Sequence, residues 1–144
     1  MKHKKIITEA CAFCLVFLFV YTATAKLFQI NLFRYRLDTY PWIRHLGGLI
    51  AWGLPLLELT IAALLISVRK RRVGFYAAFG LMAILTIYLA LMLSTRQHLP
   101  CSCGGAIEGL TWQQHILFNL FFLALAGLGI KLAHSHQFSS PFKL

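Results

Sequence analysis

Charge is what this chain has least of. Only 12% of its 144 residues are charged and only four are acidic, where soluble domains carry about 25% charged residues. A soluble helix bundle needs a polar outer face on each helix, and too little charge is present to build one. The shortage of acid leaves a formal net charge of +10. A basic balance of that size raises nucleic acid as a partner. It is excluded here because the lysines and arginines cluster between apolar runs instead of striping one face.

What is present is apolar: 59% of the residues are hydrophobic, with 12 Phe and 5 Tyr. Four apolar segments stand out, at residues 6–28, 46–68, 73–93 and 112–132. Each approaches the roughly 20 residues a helix needs to cross a bilayer. The expected fold is all-α, a four-helix transmembrane bundle over residues 1–133 with a short polar tail over 134–144. The lipid bilayer is then the chain's first partner. In the first segment Glu9 and Lys26 stand near the ends, where long side chains can reach the headgroups. Lys2, Lys4 and Lys5 ahead of this segment, with Ala23-Thr24-Ala25 behind it, have the pattern of a cleavable signal peptide. Glu9 and the length of the stretch speak for a retained helix, since cleavage would leave only three.

Loop charge sets the orientation. Lys2, Lys4 and Lys5, the run Arg69-Lys70-Arg71-Arg72, and Lys131 with Lys143 mark both termini and the second connection as cytoplasmic. Arg34, Arg36, Arg44 and Arg96 oppose that bias without cancelling it. The outer side then carries residues 29–45 and 94–111, read as a loop cap. In the cap Tyr40 and Trp42 suit an interfacial belt, and Pro41 can open the second helix. Thr111 with Gln114 forms a capping box for the fourth.

A few polar residues lie inside the spans. Glu58 follows Pro55 in GLPLLEL, and an intramembrane carboxylate is a functional candidate by default. It is expected either protonated or paired with a neighbour's donor, the structural reading being a hydrogen bond between helices. Counting about 1.5 Å per residue puts Cys14 and Glu58 in the inner half, and Tyr21, Tyr88 and Asn119 in the outer half. These last three could line a pocket holding a quinone, the one candidate cofactor, or each could satisfy its polar atom on nearby backbone. Cys11 and Cys14, three apart, are placed on one helix face as inert packing residues. His134 and His136 in the tail offer only a weak metal affinity.

The remaining cysteines stand in LPCSCGG at residues 99–105. Metal binding by Cys101 and Cys103 falls short of the usual four ligands; His98 and His115 could add to them, but the spacing matches no zinc pattern. A disulfide between the pair closes a very short loop, gains little chain entropy and stores strain. A strained, exposed disulfide exchanges readily, so redox exchange is the sharper reading beside an unreactive turn. Gly104 and Gly105 would let a partner's backbone approach closely. His115, one turn into the fourth helix, is either interfacial or a cation that favours a thiolate.

AKL at Ala25–Leu27, PLLEL at 55–59, and CSCGG followed by LTWQQHILFN ending at Asn119 together resemble the MauE branch of the DoxX-like membrane proteins. The match is most similar to variants found in Bacteroidota. Ser102, Gly104 and Phe118 depart from that pattern, which bears on a methylamine substrate more than on redox chemistry. The resemblance implies a multi-pass protein of a bacterial inner membrane, with Cys101 and Cys103 on the periplasmic side. It implies support for thiol–disulfide exchange or electron transfer while a periplasmic partner matures, methylamine dehydrogenase being the family's case. A thioredoxin-like protein would act alongside, with Cys101 and Cys103 carrying the redox step. The rival readings are a non-catalytic scaffold or chaperone for a redox partner, and a small-solute transporter built on Glu58. Whether the chain is an enzyme, and whether it forms oligomers, stays open at this level.

Overall fold

A helix rises about 1.5 Å per residue, so apolar runs of the lengths seen here make rods as long as a bilayer is thick. The computed structural model describes residues 2–38, 43–94 and 112–137. These residues form α1 (Lys2–Phe28), α2 (Ile30–Asp38), α3 (Gly47–Ile66), α4 (Arg71–Ser94) and α5 (Trp112–Gln137), with a 3-10 turn at Arg44–Leu46 leading into α3. Four stretches, His3–Phe28, Arg44–Ile66, Arg71–Leu91 and Gln113–His134, are long and apolar enough to cross a membrane. Their outward faces carry Phe13, Phe17, Leu49, Ile84, Leu117 and Phe121, all exposed. Such a surface is a liability in water and ordinary in lipid. The chain is a multi-pass membrane protein.

The four long helices pack in a ring, α1 on α3, α3 on α4, α4 on α5 and α5 on α1, with α1 and α4 as the diagonal pair. Leu15 and Phe19 of α1, Ile61 and Leu65 of α3, Phe75 and Met82 of α4, and Ala126 of α5 meet in one core. A short turn over 67–70 folds α4 back along α3. Phe75 lies over Gly129 and Phe79 beside Gly127, so α5 in turn runs back along α4. Both ends of the described chain therefore lie at one end of the bundle, and α2 at the other. Two glycines make the close seams: a Cβ at Gly74 would meet the Leu65 backbone nitrogen at 2.9 Å, and one at Gly129 would strike the Phe75 ring. Small residues at such crossings are how membrane helices approach without a hydrophobic driving force between them.

The structure departs from the sequence reading at α2. Residues 29–45 were expected as loop, yet Ile30–Asp38 is a helix. Phe33 and Leu37 are buried against Ala51, with Ile30, Ile50 and Leu54 around them. Only Gln29 separates α1 from α2. Its N–H donates to the Ala25 carbonyl at 3.2 Å, and its own carbonyl accepts from Phe33 N–H at 2.9 Å. Helix also continues through Gln137, beyond the apolar segment. Tyr40, Pro41, Trp42, Thr111 and the LPCSCGG stretch lie outside the described residues.

Candidate functional site

The inward stripe of α1 runs Leu15, Phe19, Ala23 and Lys26 at helical spacing, and all four are buried. The stripe of α3 runs Ala51, Pro55, Glu58, Ala62 and Leu65, again all buried. Pro55, about one turn before Glu58, brings no N–H, so the Ala51 carbonyl lacks its usual helical donor. Where the two stripes meet, Lys26 Nζ donates to Glu58 Oε1 at 2.5 Å. Both side chains are 2% exposed. Side chains lean toward the helix N-terminus, which carries the Lys26 amine back along α1 toward Thr22. The Thr22 hydroxyl lies beside the Glu58 carboxylate while donating to the Phe19 carbonyl at 3.3 Å. Glu58 Oε2 is buried with no hydrogen-bond partner among the described residues.

The third wall comes from α5. His115, half-buried on its first turn, lies within electrostatic reach of Lys26. Asn119, one turn further, is buried at 8% exposure. Lys26 of α1 thus has Glu58 of α3 in contact and His115 of α5 within electrostatic reach, inside an apolar bundle. Moving each charge of such a pair out of water costs several kcal/mol, which attraction offsets only at good geometry.

Three sequence expectations change here. Lys26 does not reach the headgroups; it turns inward because it stands on the buried stripe and finds a counter-charge there. Glu58 does not share the level of Cys14, which lies twelve residues, about 18 Å, along α1 from Lys26. Counting depth from helix ends fails because the first turns of α3 pack on α2 rather than on α1. Cys11 is buried and Cys14 exposed, both as free thiols, so they do not share one face: a three-residue step is enough to leave a narrow buried stripe. Tyr21 is 48% exposed and stacks on Phe17 with ring centroids 6.3 Å apart. Asn119 is buried on α5 and Tyr88 half-buried on α4. Among the described residues no three potential metal ligands cluster; Cys101, Cys103 and His98 lie outside them.

The sequence allowed Glu58 a neighbour's donor, which the structure supplies as Lys26; sequence reasoning missed which residue that donor is and the place of Thr22. The signal was present, since Lys26 extends the three- and four-residue spacing of Leu15, Phe19 and Thr22.

The family model for the methylamine utilisation protein MauE matches residues 4–132. The chain belongs to the MauE family. The match opens in α1 and closes in α5, so the family unit takes in the four long helices, the buried ion pair and the 95–111 connection with Cys101 and Cys103. No match was found among curated proteins or among solved structures.

Proposed function

We propose that this MauE-family protein supports thiol–disulfide exchange during maturation of a partner outside the cytoplasm, with Cys101 and Cys103 as the exchanging pair. The observation that carries the reading is the family match across all four long helices, in a chain whose α4–α5 connection holds two cysteines separated by one residue. The end of α4 and the start of α5 lie at the α2 end of the bundle. Exposed Lys4, Lys5, Arg69, Lys70 and Lys131 gather at the opposite end, which favours the cytoplasm for that end and the periplasm of an inner membrane for the cysteines.

In the exchange a thiolate attacks one sulfur of a disulfide and a mixed disulfide forms. The second thiolate then breaks that bond, so a dithiol and a disulfide trade two electrons and two protons. A thioredoxin-like protein is the partner class this step fits, and a quinone is the class of acceptor that could renew the disulfide by taking up the same two electrons and two protons. His115 stands twelve residues after Cys103, on the first turn of α5, where it can serve the proton traffic of the pair. The family's name points to methylamine utilisation as the setting.

Thiol trapping in intact membranes tests the reading. Cys101 and Cys103 should be caught in both reduced and oxidised forms, and replacing both by serine should stop partner maturation. Unchanged maturation in the double variant would remove the redox role and leave a scaffold.

A further inference from the structure

Glu58 has one oxygen that the thiol reading does not use. Oε1 takes the Lys26 ammonium, while Oε2 is sealed in the bundle without a partner among the described residues. A bare carboxylate oxygen is costly in a medium that cannot hydrogen-bond. A further donor or a proton can satisfy it. A proton needs no added volume at a buried oxygen.

We propose that Glu58 is a proton-exchanging group of the bundle, and that a proton arriving at Oε2 opens the Lys26–Glu58 tie between α1 and α3. In this step an O–H bond forms at Oε2 and the carboxylate becomes a neutral acid. Lys26 keeps all its N–H bonds and loses its counter-charge. The proton comes from water at the α2 end and returns there. An ammonium with no counter-charge is expensive inside a bilayer. Lys26 is two residues from the end of α1, so its stem can carry the charge to the interface. The ion pair then works as a latch with two positions for Lys26.

Among the described residues, few other charged groups face the site. From α1 Glu58 meets Lys26 and the Thr22 hydroxyl, and Lys26 in turn faces His115 of α5. On α2, exposed Arg34 and Asp38 stand 4.0 Å from one another. On α4, Arg71 is at the opposite end, donating from Nε to the Leu65 carbonyl at 3.0 Å; Tyr76 is exposed and Tyr88 half-buried. Proton exchange at Glu58 is separate from the cysteine chemistry and would survive its loss.

The chain has only three glutamates, Glu9, Glu58 and Glu108. Full-length protein carrying isotope-labelled glutamate carboxyls, held in bilayer discs, should give three carboxyl resonances. Glu9→Gln and Glu108→Gln identify two of them, so Glu58 is assigned by elimination even where Glu58→Gln does not fold. Its signal should move between ionised and neutral-acid positions as pH is varied, and should stay at the neutral-acid position in Lys26→Met. A Glu58 signal fixed at one position wherever the wild-type bundle is folded would overturn the proposal. In Glu58→Gln, which mimics the neutral acid, a water-soluble amine reagent should label Lys26 severalfold faster than in the wild type. Equal protection of Lys26 in a folded Glu58→Gln protein would sink the latch.

Discussion

Lys26 and Glu58 meet at a single 2.5 Å contact between α1 and α3, and the cost of that arrangement shows only when it is broken. Removing one partner leaves an uncompensated charge inside the bundle, a loss of about 3–5 kcal/mol in buried pairs. Lys26→Ala and Glu58→Ala are each expected to lose stability on that scale in detergent unfolding titrations. Replacing both by Met should cost less than either single change, because apolar pairs of similar volume are often neutral or better. The two residues were individually visible in the sequence, Glu58 as an intramembrane polar group and Lys26 as a charge near the end of a span. Their pairing was not, because partners 32 positions apart depend on how far α3 is displaced along α1, and α2 sets that displacement. Inward-facing Lys26 was legible in principle from the stripe it extends. Cys14 makes the reverse case: residue type and spacing suggested shelter, and a step of three along a narrow stripe exposes it.

At the scale of elements, the long helices were readable because twenty apolar residues in a row have few alternatives in lipid. The short amphipathic α2 was hidden, since its apolar positions Ile30, Phe33 and Leu37 sit among arginines and tyrosines that read as loop. Truncating Phe33 and Leu37 together to Ala should loosen α2 from α3. Amide exchange should quicken over residues 30–38 and stay unchanged in the core of α4. The α4–α5 seam gives a second test. Gly129→Leu forces a side chain into the Phe75 ring and should cost about 1–3 kcal/mol, the usual cost of overpacking. Phe75→Ala in the same chain should recover part of that loss, because residues in contact couple in a double-mutant cycle. Gly80, with nothing near the place of a Cβ, is the control. Gly80→Ala should be neutral or stabilise by roughly 0.5–1 kcal/mol, as expected for glycine inside a helix.

For the whole molecule, the alternation of four antiparallel spans puts both ends of the described chain on one side. The proposed orientation predicts that reporter tags at the N- and C-termini both stay in the cytoplasm, while an impermeant thiol reagent reaches Cys101 and Cys103 from outside intact cells. Reagent access only after the membrane is opened would reverse the orientation. Fold class and span number were legible because they follow from composition and run length alone. The approach of Glu58 and His115 to Lys26 was not, because it depends on rotational settings of helices that are apolar nearly all round.

The single-residue joint at Gln29 makes the length of this region unforgiving. Hydrogen bonds run almost unbroken through it, so α2 takes its rotational phase directly from α1. One alanine inserted after Gln29 would turn α2 by about 100° and swing Phe33 and Leu37 away from Ala51. An insertion of seven residues, close to two full turns, would restore the facing at the price of reach. Insertions and deletions at this joint are therefore tolerated in whole helical turns or not at all.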